Sequence, residues 1–342
     1  MFSPGSPLLV NPSPSWHKYS WMAEFVANIP TYEKNTIETV RLALAAREHL
    51  LENARRHGFD FACEKRGILH FYSSEKELRH AARVNHLLTK GGLARHAVSP
   101  AEIKKIEPAL HGDFLGGFFT ESDFTGDIHA YTKGLSAACL KRGAHILFES
   151  HVTALKTLPD GVELTWSNEE ESEHQRFDGV VICAGTQSRN LAAEAGDRVN
   201  VYPVKGYSIT VALDDAESQA AAPWVSLLDD HAKIVTSRLG VNRFRIAGTA
   251  EFNGFNYDIR DDRIKPLVKW CNRHFPSVST EHAVPWAGLR PMLPNMLPRV
   301  GPGKHPGIFY NTGHGHLGWT LSAATAEIAA DAVLAKSNGP QT

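Results

Sequence analysis

Three glycines and two histidines crowd the stretch NTGHGHLGWT, residues 311–320, between an apolar run, GIFY, and a helix-like run, LSAATAEIAADAVLA. Gly313, Gly315 and Gly318 permit a sharp turn and a close approach of ligand to backbone. The helix start that follows offers N–H groups and the positive end of its dipole to an anion or an electron-rich ring edge. His314 and His316 could also be read as metal ligands, but no carboxylate or thiolate set stands near them. In WAGLRPMLPNMLPRVG, residues 286–301, Arg290 lies between an aromatic and apolar strand and a proline-rich loop that prevents regular structure. A guanidinium held and aimed there suits a carboxylate, which it can grip through two parallel hydrogen bonds; a structural salt bridge is the competing use. In VNVYPVKGYSITV, residues 199–211, the Tyr207 hydroxyl is a candidate donor to a pocket, and equally a cross-strand aromatic. In FDGVVICAGTQSRNL, an apolar strand ends at Ala184 and Gly185, and small polar residues then open a helix. Such a junction brings backbone to a flat or phosphorylated ligand at a sheet's carboxyl edge, or else lets a buried strand leave by a tight turn.

The elements that must position these groups are legible in outline. SWMAEFVANI places Trp21, Met22, Phe25, Val26 and Ile29 on one helical stripe, and a longer helix follows, ending at Gly58. GILHFY reads as a strand, and SEKELRHAARVNHLLTKGG as a helix stopped by a glycine pair. Asp127 can N-cap a helix from Ile128 to about Arg142, with Gly143 ending it. A β-rich stretch follows: HILFES, then VTALKTLPDGVELTW with a Pro-Asp-Gly turn, then RFDGVVICAG as a strand buried on both faces. DDRIKPLVKWCNRHF is a helix that Pro266 restarts. The first fifteen residues, rich in Pro and Ser, read as an irregular arm. Strands and helices alternate without a uniform βαβ rhythm. That predicts a mixed α/β or α+β protein with discontinuous domains.

Composition narrows the function classes. With 342 residues, two lobes and a sizeable core are expected. Lys plus Arg (36) nearly balance Asp plus Glu (37), so no electrostatic footprint for nucleic acid stands out. Cys63, Cys139, Cys183 and Cys271 form no C-x-x-C pair, which argues against a disulfide framework and for a reducing, cytoplasmic setting. No apolar run approaches the ~18 residues that span a bilayer, and the N-terminus lacks the basic start and apolar core of a secretory signal.

Taken in order, IEPAL, DFTGD, VVICAG, VYPVKGYSITV, WAGLRPM and above all NTGHGHLGWT resemble the FAD-dependent D-amino-acid dehydrogenases of the small subunit type, in the glycine oxidase and D-amino-acid oxidase superfamily. The resemblance runs from about Trp16 to Ala335. It implies FAD as cofactor, with Ala184 and Gly185 along it, the Val152 backbone at the adenine, and Gly313, His314, Gly315, Leu317, Gly318, Trp319 and Thr320 around the flavin ring. It assigns the substrate carboxylate to Arg290, with Tyr207 assisting. The implied reaction oxidises a D-amino acid to an imino acid, which water converts to a 2-oxo acid and ammonia. Electrons pass to a quinone or another respiratory acceptor, with peripheral contact at the inner face of the membrane. No His or Glu base is required if the amine enters neutral.

The implied architecture is a substrate domain at residues 1–120 and 200–289, with a mixed, largely antiparallel sheet covered by helices. A Rossmann-like FAD-binding domain takes 121–199 and 290–342. Two departures from the family pattern stand out. The opening strand with its G-x-G-x-x-G turn, which cradles pyrophosphate, is not among these residues, and SPGSPLL cannot substitute for it. The proline-rich loop reads MLPNMLP in place of a polar TPDG type of turn. The first departure leaves three readings: a fragment of a flavoenzyme, a chain completed by a missing segment or partner chain, or a relic unable to bind FAD alone. A glycine- or sarcosine-type oxidase using oxygen is a further alternative.

Overall fold

The computed structural model describes residues 6–168 and 171–337. It is a mixed α/β structure in two compact units, one formed by Met1–Ser13, Ala54–Leu135 and Val204–Leu289, the other by Pro14–Asn53, Ser136–Pro203 and Arg290–Thr342. This grouping differs from the expected boundaries at Pro14–Asn53, at residues 121–135 and at residues 200–203, the last of which fall in the second unit. Pro14–Asn53 joins the second unit, where the Trp21 indole donates to the Met292 carbonyl at 2.9 Å and Asn35 to the Asn295 carbonyl at 2.9 Å. Residues 121–135 join the first, where Thr125 bridges to Glu64 and Asp127 pairs with Arg243 at 2.6 Å.

The first unit is built on a mixed, largely antiparallel sheet. Its strands run in the order Val284–Met292, Tyr202–Ala212, Arg243–Phe252, Ile234–Arg238, Ser226–Asp229, Ile68–Tyr72, Gly116–Thr120 and His96–Val98. Leu8–Val10, expected to be irregular, is instead a short strand parallel to Arg243–Phe252. Period-two alternation decides the faces: Tyr207, Ile209 and Val211 point into the core beside Phe244 and Ile246, so Ser208 and Thr210 take the opposite face. The helix Asp261–His274 covers that core with Leu267, Trp270 and Cys271. It runs unbroken through Pro266, contrary to the expected restart. The ring removes one N–H donor only, in the second turn, and burial of the three apolar side chains offsets that loss. Asp127 caps Ile128–Lys141 as expected, its Oδ1 accepting from the His129 and Ala130 amides at 2.9 and 3.2 Å.

In the second unit, Arg299–Pro302, Ile308–Thr312 and Val180–Ile182 form one sheet, the first pair antiparallel and the second parallel. His151–Leu158, Gly161–Ser167 and Ser172–Phe177 form an antiparallel meander around the Pro-Asp-Gly turn. Three sequence expectations fail here. HILFES is not a strand and leaves Leu147 and Phe148 exposed, because no neighbouring strand pairs with it among the described residues. Val181 is 40 % exposed, so its strand, at the edge of its sheet, is not buried on both faces. The stripe on Trp16–Asn28 is buried at Trp21, whereas Phe25, Val26 and Ile29 remain exposed.

Candidate functional site

The second unit brings most of the chemistry-bearing stretches to one edge. Val180–Ile182 and Ile308–Thr312 are parallel, with Ile182 beside Tyr310, so both chains leave the sheet at the same carboxyl end. One continues through Cys183, Ala184 and the turn Gly185–Gln187 into the helix Ser188–Glu194. The other continues through Gly313 to Leu317 into the helix Gly318–Ser337. The buried hydroxyls of Ser188 and Thr312 lie 2.7 Å apart and tie the two loops together, and Thr312 also reaches the Gly185 carbonyl at 3.4 Å. A shared carboxyl edge of parallel strands is where open α/β sheets place ligands.

Arg290 is laid along the same loop. Met292 and His314 form an antiparallel bridge, and the Gly315 amide donates to the Pro291 carbonyl at 2.9 Å. Arg290 is partly buried, and that burial lowers its pKa. His314 is likewise held below its ordinary pKa by burial, and its Nε2 meets the Thr325 hydroxyl at 2.9 Å. Among the described residues no three His, Cys, Asp or Glu side chains gather as a metal site would require.

The glycines serve a purpose the sequence did not disclose. Gly313 and Gly315 have φ of +79° and +59°. A Cβ on Gly313 would run into the Leu293 side chain, and one on Gly315 would lie 2.6 Å from the Met292 sulfur. Both therefore let the segment after Arg290 pack against the loop. Gly185 and Gly318 differ: a Cβ on Gly185 would meet nothing within 4 Å, and one on Gly318 would meet His314 alone, at 3.9 Å. The open approach to the backbone is at these two. Gly313→Val is expected to destabilise the protein by about 2–4 kcal/mol, combining left-handed backbone strain with a clash; a urea midpoint equal to that of the parent protein would contradict this packing.

Two further predicted residues, Val152 and Tyr207, lie on strands of other sheets. Val152 pairs with Trp166 in the antiparallel meander; three residues on, the Leu155 amide donates to Glu194 Oε2 at 2.6 Å, joining this sheet to the helix that follows Gly185. Tyr207 departs from expectation. It is buried in the core of the first unit, and its hydroxyl donates to Glu251 Oε2 at 2.7 Å instead of reaching a pocket. Strand alternation, which groups Tyr207 with Ile209 and Val211, is the cause. The sequence also missed a pair on the same sheet: the Arg245 guanidinium stands 5.1 Å from the Trp286 ring, and that ring folds over Gly288, two residues on. Arginine and tryptophan 41 positions apart carry no local signal.

Residues 11–332 match the family described as FAD dependent oxidoreductase. The chain belongs to this family. It is 60 % identical over 328 residues to D-amino acid dehydrogenase 3 of Mesorhizobium japonicum, covering 96 % of this chain and 79 % of that protein. It is 37 % identical over 321 residues to D-amino acid dehydrogenase of Paramagnetospirillum magneticum, covering 92 % and 74 %. Among solved structures, glycine oxidase from Geobacillus kaustophilus superposes with a TM-score of 0.76 at 22 % identity, over 87 % of this chain and 80 % of that one. The protein is thus an FAD-dependent oxidoreductase with the fold of that enzyme. The helix start at Gly318 and the uncrowded backbone at Gly185 and Gly318 are compatible with a flat ring and a negatively charged edge.

Proposed function

We propose that this FAD-dependent oxidoreductase oxidises D-amino acids to imino acids, which water converts to 2-oxo acids and ammonia. The observation that supports this most is the junction of Arg290 with the Gly313–Leu317 loop through the Met292–His314 bridge and the Gly315–Pro291 hydrogen bond. In this reading Ala184, Gly185 and residues 313–320 hold the cofactor, with the Val152 backbone toward its adenine. FAD, when bound, would supply the two-electron acceptor, its N5, for the hydride that leaves Cα. Arg290 grips the α-carboxylate, and a desolvated guanidinium makes that pairing strong and directional. Holding the carboxylate fixes Cα, which reaction requires to within roughly 3–3.5 Å of its acceptor. The first-turn amides of Gly318–Ser337, which have no intrahelical carbonyl partner, stabilise negative charge at the ring edge. Tyr207 takes a supporting part, anchoring its strand through Glu251.

The proposed electron acceptor is a quinone or other respiratory carrier, reached by peripheral contact with the inner membrane face; among the described residues no helix is long and apolar enough to cross a membrane. Titration with FAD is expected to give a yellow, protein-bound flavin, and D-amino acids are expected to drive dye reduction, with quinone-analogue reduction exceeding oxygen consumption. A flavin-loaded protein that reduces no dye with any D-amino acid would overturn the proposal.

A further inference from the structure

The sheet of the first unit has a second face, turned away from the core that Asp261–His274 covers. Ser208 lies on it, 1 % exposed, and its Oγ meets no hydrogen-bond partner among the described residues. Ala247 pairs with Ser208 and Arg245 with Thr210, so alternation puts Arg245 on this same face. Its side chain crosses the strand Tyr202–Ala212 to stand 5.1 Å from the Trp286 ring. A Cβ on Gly288 would collide with that ring, so the indole lies along its own strand over Gly288. Arg290 is the next residue on that side of the strand, about 6.6–7 Å further on.

The Arg245 guanidinium forms no hydrogen bond or ion pair among the described residues. Asp127, the carboxylate whose charge acts on it, is engaged by Arg243 at 2.6 Å and by the His129 and Ala130 amides. Burial also holds the Arg245 pKa below its ordinary value, the mark of partly desolvated surroundings, in which an ion pair outweighs a surface pair. What results is a cation held against an aromatic ring with its in-plane N–H donors unused, and an unused buried hydroxyl on the neighbouring strand. A cation–π contact accounts for the ring but not for Ser208, because a buried hydroxyl without a partner is destabilising.

We infer that Ser208, Arg245 and Trp286 form the subsite for the substrate's side chain, and that this side chain ends in a carboxylate, as in D-glutamate or D-aspartate. The inference rests on the proposed oxidation of D-amino acids with Arg290 on the α-carboxylate. A dicarboxylate offers one acid to each guanidinium: the α-carboxylate to Arg290 and the distal one to Arg245, whose planar fork matches two carboxylate oxygens. The Ser208 hydroxyl adds a donor, and the methylenes between the two acids lie against the indole. A neutral side chain leaves Arg245 unpaired, and a basic one is repelled by it.

Dye reduction by the flavin-loaded protein, with D-glutamate and its neutral isostere D-glutamine as substrates, tests this. The ratio of their kcat/KM values is expected to favour D-glutamate by about 30-fold, the range for hydrogen bonds to a charged group. In Arg245→Met the ratio is expected to fall to about one, and in Arg245→Lys to keep part of the preference, since the charge remains and the fork is lost. Both substrates are compared within one preparation, so any loss of folded protein cancels from the ratio. By titration calorimetry, glutarate is expected to bind the parent protein more tightly than butyrate, and Arg245→Met is expected to bind the two alike. A protein that oxidises D-glutamine as well as D-glutamate, an Arg245→Met variant that keeps the preference, or glutarate bound no better than butyrate overturns the inference and leaves the proposed reaction standing. A flavin-loaded protein that oxidises no D-amino acid overturns the reaction itself; glutarate binding that depends on Arg245 would then still identify the dicarboxylate site.

Discussion

Arg290→Met is expected to lower kcat/KM for D-amino acids by about three orders of magnitude, most of it in KM, with flavin content unchanged. Methionine keeps much of the apolar stem and removes the guanidinium, so the comparison isolates the charge. Losing one partner of a desolvated, hydrogen-bonded ion pair costs about 2–5 kcal/mol, and each factor of ten is 1.36 kcal/mol. Arg290 falls in the desolvated class because burial already disfavours its charged form. An exposed arginine would give a change of tenfold or less, since surface pairs are worth about 0–1 kcal/mol. Steady-state kinetics on the variant distinguishes these cases; a loss under tenfold would remove Arg290 from the carboxylate site.

Glu251→Ala is expected to cost about 3–5 kcal/mol in stability, the typical penalty for removing one partner of a buried ion pair. Glu251 is 1 % exposed and receives Tyr207 at 2.7 Å and Asn253 at 3.0 Å. Its Oε1 lies 3.7 Å from Lys205 Nζ and 3.6 Å from Arg260. Lys205 is fully buried, and burial pulls its pKa down against the pull of Glu251. Without Glu251 the ammonium keeps its bond to the Asp258 carbonyl at 3.1 Å and its contact with Asn256, but loses its buried counter-charge. The double variant Glu251→Leu with Lys205→Met removes both charges and is expected to recover most of the loss. Urea midpoints at constant slope provide the measurement. A single Glu251 variant as stable as the parent would show that the pair contributes nothing to the folded state.

Local elements were readable because each rests on a short-range rule. The Asp127 cap, the Pro-Asp-Gly hairpin and the strand Ile68–Tyr72 appear where capping, turn chemistry and alternation place them. HILFES failed because a strand needs a neighbour, and pairing is not a property of six residues. Tyr207 failed for a related reason. Alternation says that Tyr207 and Ser208 face opposite ways, but which face is core depends on Phe244, Ile246 and the helix Asp261–His274, all distant in the chain.

By itself the sequence determined the residue chemistry: a glycine-lined helix start, a guanidinium in an irregular proline-rich setting, and a strand ending in Ala184 and Gly185. Those follow from backbone freedom, fixed charge and side-chain period, which act over a few residues. Only the tertiary structure decided that Val180–Ile182 lies parallel to Ile308–Thr312 and that Pro291 and Met292, which follow Arg290, run beside Gly315 and His314. It also decided that Leu293 and Met292 fill the space left by Gly313 and Gly315. Such pairings join segments more than a hundred residues apart in one case and about twenty in the other, and they are chosen by which apolar faces can be buried together across the whole unit.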